Sequence, residues 1–319
     1  MFLKKVRHSL GSLVERINLK LLIFNSFFIK DGAKITPVFK EINSDINNKT
    51  YFYPKIIWIY WDSPDDIPEI VKLSVDRVKS FCPDYEIKFL DMLSVNEYIT
   101  LPNIPTSLPL AIKADYIRLM LLERYGGVWM DSSILLNEDL GWISKKICNH
   151  DAFVFYSDEC TINSEEPITE NWFIISPKDS PFIKSWAKEF SLCIFSEDPI
   201  NYYSSIKNDK EYVQNLTKPD YLLCYISAIK VLKESRFKVL YASSASVGHY
   251  FNYKYHFNGN CVAAELTGIN ESKIAKVKLI KLTSGSRNAV QEILSKRKVK
   301  KGSYLYNAIK DNFFKYRDH

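Results

Sequence analysis

"ERYGGVWMDSS", Glu123–Ser133, is the stretch whose reading decides the fold. Paired glycines after a tyrosine end a helix, because the position just past a helix C-terminus favours a backbone that glycine adopts freely. The apolar triplet Val128–Met130 then has the character of a short buried strand. A carboxylate, Asp131, closes that strand, and two hydroxyls, Ser132 and Ser133, follow it. Open α/β sheets bind ligands beyond the carboxyl ends of their strands, so Asp131 stands where chemistry is expected.

Working outward, "LPLAIKADYIRLMLLERY" (Leu108–Tyr125) predicts the helix that the glycines end. Ile112, Ile117, Leu119, Leu121 and Leu122 make it apolar on most sides, which predicts a well-buried helix. Earlier, Ile56–Trp61 reads as a buried strand and Tyr85–Asp91 as a second, alternating one. Between them Asp66 can cap a helix with Pro68 in its first turn. Strand, helix and strand in that order predict a βαβ unit and a parallel pairing. Further strands are expected at Ala152–Tyr156, Trp172–Ser176, Arg236–Ala242 and Ala275–Leu282. Helices are expected within residues 180–190 and 218–234. No G-x-G-x-x-G motif, P-loop, internal repeat or low-complexity tract occurs.

Three strand ends offer functional side chains: Trp58, Tyr60, Trp61 and Asp62; then Asp91; then Asp131, Ser132 and Ser133. A strand-end aspartate either caps the next turn or binds a hard divalent cation that keeps phosphate oxygens as its other ligands. Asp115 and Arg118 lie three apart and share one helix face. As a surface ion pair they would contribute a few tenths of a kcal/mol, about 0.3. On a buried helix, charges need partners or a function. Together they can grip sugar hydroxyls or a phosphate. His249, set among aromatics, reads as a packed residue and stays outside the metal site.

With these residues on the page, "YPKIIWIYW" (residues 53–61) and "KADYIRLMLLERYGGVWMDSS" (residues 113–133) resemble the capsular polysaccharide synthesis proteins, relatives of glycosyltransferase family 32. The shared pattern is an aromatic strand, then (S/A)-D-x-x-R-x-x-x-L-x-x-x-G-G-(V/I)-(W/Y)-x-D. It covers residues 54–136, with looser echoes at Pro219–Ile226 and Lys278–Ser286. The resemblance implies a GT-A type, Rossmann-like mixed α/β sheet flanked by helices; the two ends, which it does not cover, read as helical N- and C-terminal extensions from their own apolar spacing. It implies a retaining transferase that moves a hexose from a nucleotide-diphospho-sugar, with a UDP-hexose favoured, to a lipid-linked glycan. It maps Trp58 and Tyr60 to the base, Asp115 and Arg118 to donor sugar and ribose, and Gly127 to close approach of the donor. Asp131 maps to Mn²⁺ or Mg²⁺ on the diphosphate. Ser133 stands where the wider family has a second aspartate, a departure common in the capsule branch. Lys281 is either a charge that stabilises the leaving group or a solvated strand-edge lysine. Asp220 is either a carboxylate near the reacting carbon or one stabilised by a helix N-terminus. The missing second aspartate leaves open a sugar-nucleotide-binding protein without transferase activity.

Composition fits this reading. The 319 residues are 46% hydrophobic and 14% aromatic, enough for a sizeable core. Residues 1–55 carry ten basic and four acidic side chains and residues 272–319 carry thirteen and three, which leaves twenty against thirty in the body. Basic ends predict contact with an anionic surface, and an acidic body argues against nucleic acid as the partner. Leu3, Val6, Leu10, Leu13, Ile17, Leu21, Phe24 and Phe28 predict an amphipathic helix that packs on its own domain or lies on a membrane. No apolar run is long enough to span a bilayer. Six scattered cysteines without a C-x-x-C pair indicate neither zinc nor disulfides. The expected organisation is a basic amphipathic segment over 1–50, a catalytic domain over 51–285 and a basic helical tail over 286–319. The expected place is cytoplasmic, peripheral on the inner face of the cell membrane.

Overall fold

In the computed structural model, which describes residues 21, 24, 28–46, 49–105 and 108–315, seven strands hydrogen-bond into one mixed sheet. These are β1 (Phe39–Ile42), β2 (Ile56–Tyr60), β3 (Glu86–Leu90), β4 (Gly127–Met130), β6 (Ala152–Tyr156), β7 (Thr169–Ser176) and β8 (Val239–Ser243). Their order in space is β1-β8-β6-β7-β4-β2-β3. A separate pair, β5 (Ile134–Leu136) and β9 (Leu279–Lys281), runs antiparallel. The longer helices are α1 (Glu69–Phe81), α2 (Leu110–Tyr125), α3 (Pro181–Ile194), α4 (Leu223–Glu234), α5 (Gly259–Gly268), α6 (Ser284–Ser295) and α7 (Tyr304–Lys315).

β2, β3 and β4 are parallel, as the βαβ pattern predicts. β7 is antiparallel to β4, with Met130 opposite Phe173. The first residues of β7 therefore lie at the same edge as the last residues of β2, β3 and β4. β6 returns antiparallel to β7 and β8 runs parallel to β6, so Tyr156 and Ser243 reach that edge too. One rim of the sheet thus gathers five strand C-termini and two N-termini, those of β7 and β1.

Alternation along the strands splits the core into layers. Trp58, Trp129 and Ile174 face α2, α3 and α4. Ile57, Ile59, Val128, Met130, Phe153, Phe155 and Phe173 face the other way, against Val75 and Val78 of α1 and Leu136 of β5. A third cluster joins Ile70 and Leu73 of α1 to Leu135, Ile280, Val290, Leu294 and Leu305. The C-terminal helices α6 and α7 are thereby packed on the body, and the basic run Lys296–Lys301 forms the turn between them.

Residues 31–50, which the sequence places in the basic N-terminal segment outside the catalytic domain, in part belong to the main body. Phe39–Ile42 pairs antiparallel with β8 and closes one edge of the sheet. Gly32 N–H donates to Ser272 O and Ile35 N–H to Lys276 O, so the chain is tied down well before residue 51. The amphipathic helix expected over the first thirty residues lies mostly outside the described residues. The six cysteines are unpaired, and Cys82, Cys193, Cys224 and Cys261 are buried.

Candidate functional site

Beyond the gathered strand ends lies a cleft of about 700 Å³. Tyr60, Trp61 and Asp62 reach it from the end of β2, and Asp131, Ser132 and Ser133 from the end of β4. Asp115 and Arg118 face it from α2, and Asn171 and Trp172 from the start of β7. Tyr221 and Tyr225 come from the approach to α4 and from its first turn, and Lys281, Thr283, Ser284 and Arg287 from β9 and α6. A cavity of about 810 Å³ elsewhere, lined by Arg77, Asn137 and Tyr304, shares none of these residues.

Arg118 is the hub. It is 4% exposed. Its Nη1 donates to Asn171 O at 2.7 Å and its Nη2 to Asp131 Oδ1 at 3.0 Å. Asp115 Oδ1 lies 3.2 Å from Nη1 and accepts from Asn171 Nδ2 at 3.0 Å. The guanidinium also sits 5.0 Å from the centre of the Trp129 ring. Its buried Nε has no partner among the described residues. The i,i+3 spacing read from the sequence is therefore a buried pair on a functional rim.

Asp131 is saturated with donors. Trp129 Nε1 donates to Oδ1 at 3.0 Å alongside Arg118, and Lys281 Nζ donates to Oδ2 at 2.8 Å. Burial alone would raise this carboxyl, but Lys281 and Arg118 outweigh it and hold the pKa below its ordinary value. Lys281 Nζ also donates to Ser133 Oγ at 2.8 Å, and Ser133 Oγ donates to Leu282 O at 2.9 Å. The antiparallel β5–β9 pairing places Lys281 opposite Ile134 and so fixes this triangle. Burial, with Arg118 and Arg287 nearby, lowers the Lys281 pKa against the pull of Asp131.

Burial pushes Asp115 up to about 6, against the pull of Arg118. His249 is also in the cleft wall. Burial, helped by the Lys281 charge, lowers it to about 3. It is neutral, and Asn252 Nδ2 donates to its Nδ1 at 2.9 Å. Glu170, beside the cleft and bonded to Trp172 Nε1, is raised by burial to about 7.

Asp115, Arg118, Asp131, Ser133, Lys281 and Tyr60 are thus brought together. Three sequence expectations are not met. Trp58 is 1% exposed, donates its Nε1 to Gly126 O at 2.9 Å and packs against Tyr98 and Tyr125. It is core, and Trp61 is the aromatic that reaches the cleft. Gly127 begins β4 rather than ending it, about 13 Å from Asp131 at a rise of roughly 3.3 Å per residue. Its φ of +95° and the Ile56 O lying 2.6 Å from where a Cβ would sit explain the glycine without a ligand. Asp220 lies in the turn before α4, with its side chain 71% exposed and paired with Lys207. The helix starts at Leu223, so Asp220 is carried to the surface.

The expected Mn²⁺ or Mg²⁺ site does not fit the donor set. A hard cation here would take Asp131 and the donor's phosphate oxygens as its ligands. Here a single carboxylate has both oxygens engaged by cationic groups, and Ser133 offers only a hydroxyl already bonded to Lys281. Among the described residues no group of three His, Cys, Asp or Glu side chains could hold a metal ion.

Asn171, Trp172, Tyr221, Tyr225 and Arg287 were not singled out from the sequence. The first two were hidden because an antiparallel strand presents its beginning to the rim. Arg287 carried one legible signal, its place in the first turn of a helix after the Lys278–Ser286 echo.

A profile described as "Capsular polysaccharide synthesis protein" matches residues 26–215. No curated protein sequence matches significantly. Among solved structures, PaToxG glycosyltransferase is 15% identical over 90% of this chain and 95% of that one, with a TM-score of 0.34. A glycosyltransferase involved in glycosylation of the major capsid of PBCV-1 is 12% identical over 76% and 100%, with a TM-score of 0.42. The galactosyltransferase LgtC, solved with donor and acceptor sugar analogs, is 14% identical over 72% and 87%, with a TM-score of 0.37. These overlays are loose, and no residue role is transferred from them.

Proposed function

Because the chain belongs to the capsular polysaccharide synthesis protein family, we propose that it is a glycosyltransferase that moves a hexose from a nucleotide-diphospho-sugar to a lipid-linked glycan. The observation that carries this reading is the convergence of Asp115, Arg118, Asp131 and Lys281 in one strand-end cleft beside Trp61 and Tyr60. The mixed sheet and its rim agree with the GT-A architecture that the resemblance implies.

In this reading the diphosphate lies toward Lys281, Arg287 and the N-terminus of α6, where positive charge and unpaired N–H groups favour an anion. The hexose lies toward Asp115 and Asn171, which offer hydroxyl partners. The base lies toward Trp61 and Tyr60. Transfer breaks the bond from the anomeric carbon to the diphosphate, and the electron pair departs with the phosphate oxygen. The oxygen of an acceptor hydroxyl bonds to that carbon, and its proton passes to the departing phosphate oxygen. Retention of configuration is the outcome the resemblance favours.

The test is a donor screen. Nucleoside diphosphate release would be followed from UDP-Gal, UDP-Glc, UDP-GlcNAc, UDP-GalNAc and GDP-Man, with a lipid-linked glycan extract as acceptor, for the wild type and Asp131→Ala. Release from one donor that the variant loses supports the reading. Calorimetric silence toward every donor would end it.

A lipid-linked acceptor gives the basic ends a role as a peripheral attachment to the cytoplasmic face of the membrane. Among the described residues no helix is long and apolar enough to cross a membrane. Flotation with anionic liposomes at low salt tests the attachment. Protein that stays at the bottom of the gradient removes it.

A further inference from the structure

We propose that this site holds the donor diphosphate with a fixed cation pair, Lys281 and Arg287, and that the Lys281 ammonium takes the place of a divalent ion between Asp131 and Ser133. The inference rests on the donor reading above and concerns how that donor is held.

Geometry carries the argument. An ion serving Asp131 and the residue two further on would sit between their oxygens. Lys281 Nζ is there, 2.8 Å from Asp131 Oδ2 and 2.8 Å from Ser133 Oγ. The position is built rather than incidental. Lys281 N–H donates to Gly248 O at 2.7 Å, and its own carbonyl accepts from Asn252 Nδ2 at 2.8 Å. The strand register with β5 fixes it from the other side. The side chain is buried, so the ammonium does not roam as a surface lysine would.

Residue chemistry at position 133 agrees. A second aspartate would give the ammonium two carboxylates and would attract a hard cation in its stead. Serine supplies a neutral acceptor that satisfies one ammonium N–H and donates its own O–H to Leu282 O. The serine and the lysine thus form one device, although 148 residues separate them.

Charge balance points the same way. The charges coupled to Asp131 are three cations, Arg118, Lys281 and Arg287, and one further carboxylate, Asp115, while Asp62 and Asp66 also line the cleft. Asp131 already has Arg118 on its other oxygen, so Lys281 is not needed to neutralise it. Arg287 stacks over the Trp61 ring at 5.1 Å, which holds its guanidinium at the cleft without an acidic partner being needed. Thr283 caps the start of α6 by accepting from Ser286 N–H, and the positive end of that helix faces the same cleft through Thr283, Ser284 and Arg287.

The experiment is calorimetric binding of UDP, GDP and inorganic pyrophosphate, each in EDTA and in Mn²⁺. The variants are Lys281→Met, Lys281→Arg and Lys281→Met combined with Ser133→Asp. For the wild type we expect a nucleoside diphosphate to bind in EDTA with a Kd within about twofold of its value in Mn²⁺. Lys281→Met should weaken EDTA binding by roughly tenfold or more, and Lys281→Arg should keep most of it. In the double variant the vacated position gains a second carboxylate, and binding should return only with Mn²⁺. Wild-type binding that needs Mn²⁺ overturns the fixed-cation inference and leaves the donor reading standing. Silence from all three probes in both conditions overturns both. Should Lys281→Met not fold, the wild-type comparison and Lys281→Arg still decide.

Discussion

Lys281 Nζ lies 2.8 Å from Asp131 Oδ2 across 150 residues of sequence. The pair is half of a four-membered charge chain, Asp115–Arg118–Asp131–Lys281, in which each member touches the next. Breaking it at one point leaves a buried charge without its partner. That sets the scale of what substitutions should do.

Asp131→Asn should lower stability by about 2–4 kcal/mol, because Arg118 and Lys281 both lose a buried counter-charge. Lys281→Met should cost less, since Asp131 keeps Arg118. The double variant should fall short of the sum by about 1 kcal/mol or more. Urea unfolding of the four proteins measures this. Strict additivity would show that the two side chains do not meet in solution.

Trp58→Ala and Trp61→Ala should separate stability from binding. Removing the fully buried Trp58 should cost roughly 3–5 kcal/mol and leave nucleotide affinity of the folded fraction intact. Removing Trp61 should cost little stability and weaken nucleoside diphosphate binding several-fold, because the ring and the Arg287 it supports both leave the cleft. Thermal melts beside calorimetry read the two effects, and a reversed pattern would move the base-binding aromatic back to position 58.

Gly127→Ala tests the backbone explanation of the paired glycines. The new methyl would meet Ile56 O at 2.6 Å on a backbone with φ of +95°. A loss of about 2 kcal/mol or more is expected, with donor affinity unchanged once the protein is folded. Asp220→Ala, on the exposed turn, should shift stability by less than about 0.5 kcal/mol and leave turnover alone.

His249 gives a pH signature with a defined sign. Its pKa falls from 6.5 to about 3 in the fold. Between those values the unfolded chain binds the extra proton. The stability contribution is therefore complete above pH 6.5 and is lost as pH falls toward 3. Asp115 and Glu170 run oppositely, since their raised values of about 6 and 7 make their contributions fade as pH rises through those points. Comparing the wild type with His249→Gln isolates the imidazole. The gap between them should close by about 1.4 kcal/mol for each pH unit below 6.5. Parallel curves would mean that the ring titrates near its ordinary value.

Local patterns were legible in the sequence wherever a short stretch carried the whole instruction. The glycine-ended helix, the strand to Met130, Asp131 at its tip and the Asp115–Arg118 face all follow from residues close in sequence. Depth along a strand does not. Trp58 and Tyr60 share a face by the two-residue period, yet only the strand's end reaches the cleft, so the tryptophan chosen was one turn of the pleat too deep. Helix starts misled in the same way, since Pro219 lies four residues ahead of α4 and Asp220 was placed on a helix it precedes. The direction of β7 was hidden. Nothing in "TENWFIIS" (Thr169–Ser176) says that the strand begins at the rim, and Asn171 and Trp172 line the cleft only because it does. The link between Ser133 and Lys281 needed the β5–β9 register, which no local pattern encodes.

That register also has a consequence for synthesis. The wall that completes the cleft comes from β9 and α6, while the strand it joins ends at Leu136. At roughly 5–20 residues per second a ribosome needs about 7–30 s to pass from one to the other. Throughout that interval Asp131 and Ser133 await the residue that satisfies them. A nascent chain halted before Lys281 carries every strand of the main sheet and still has no finished anion site. Premature termination in that stretch should therefore yield a species that binds no diphosphate.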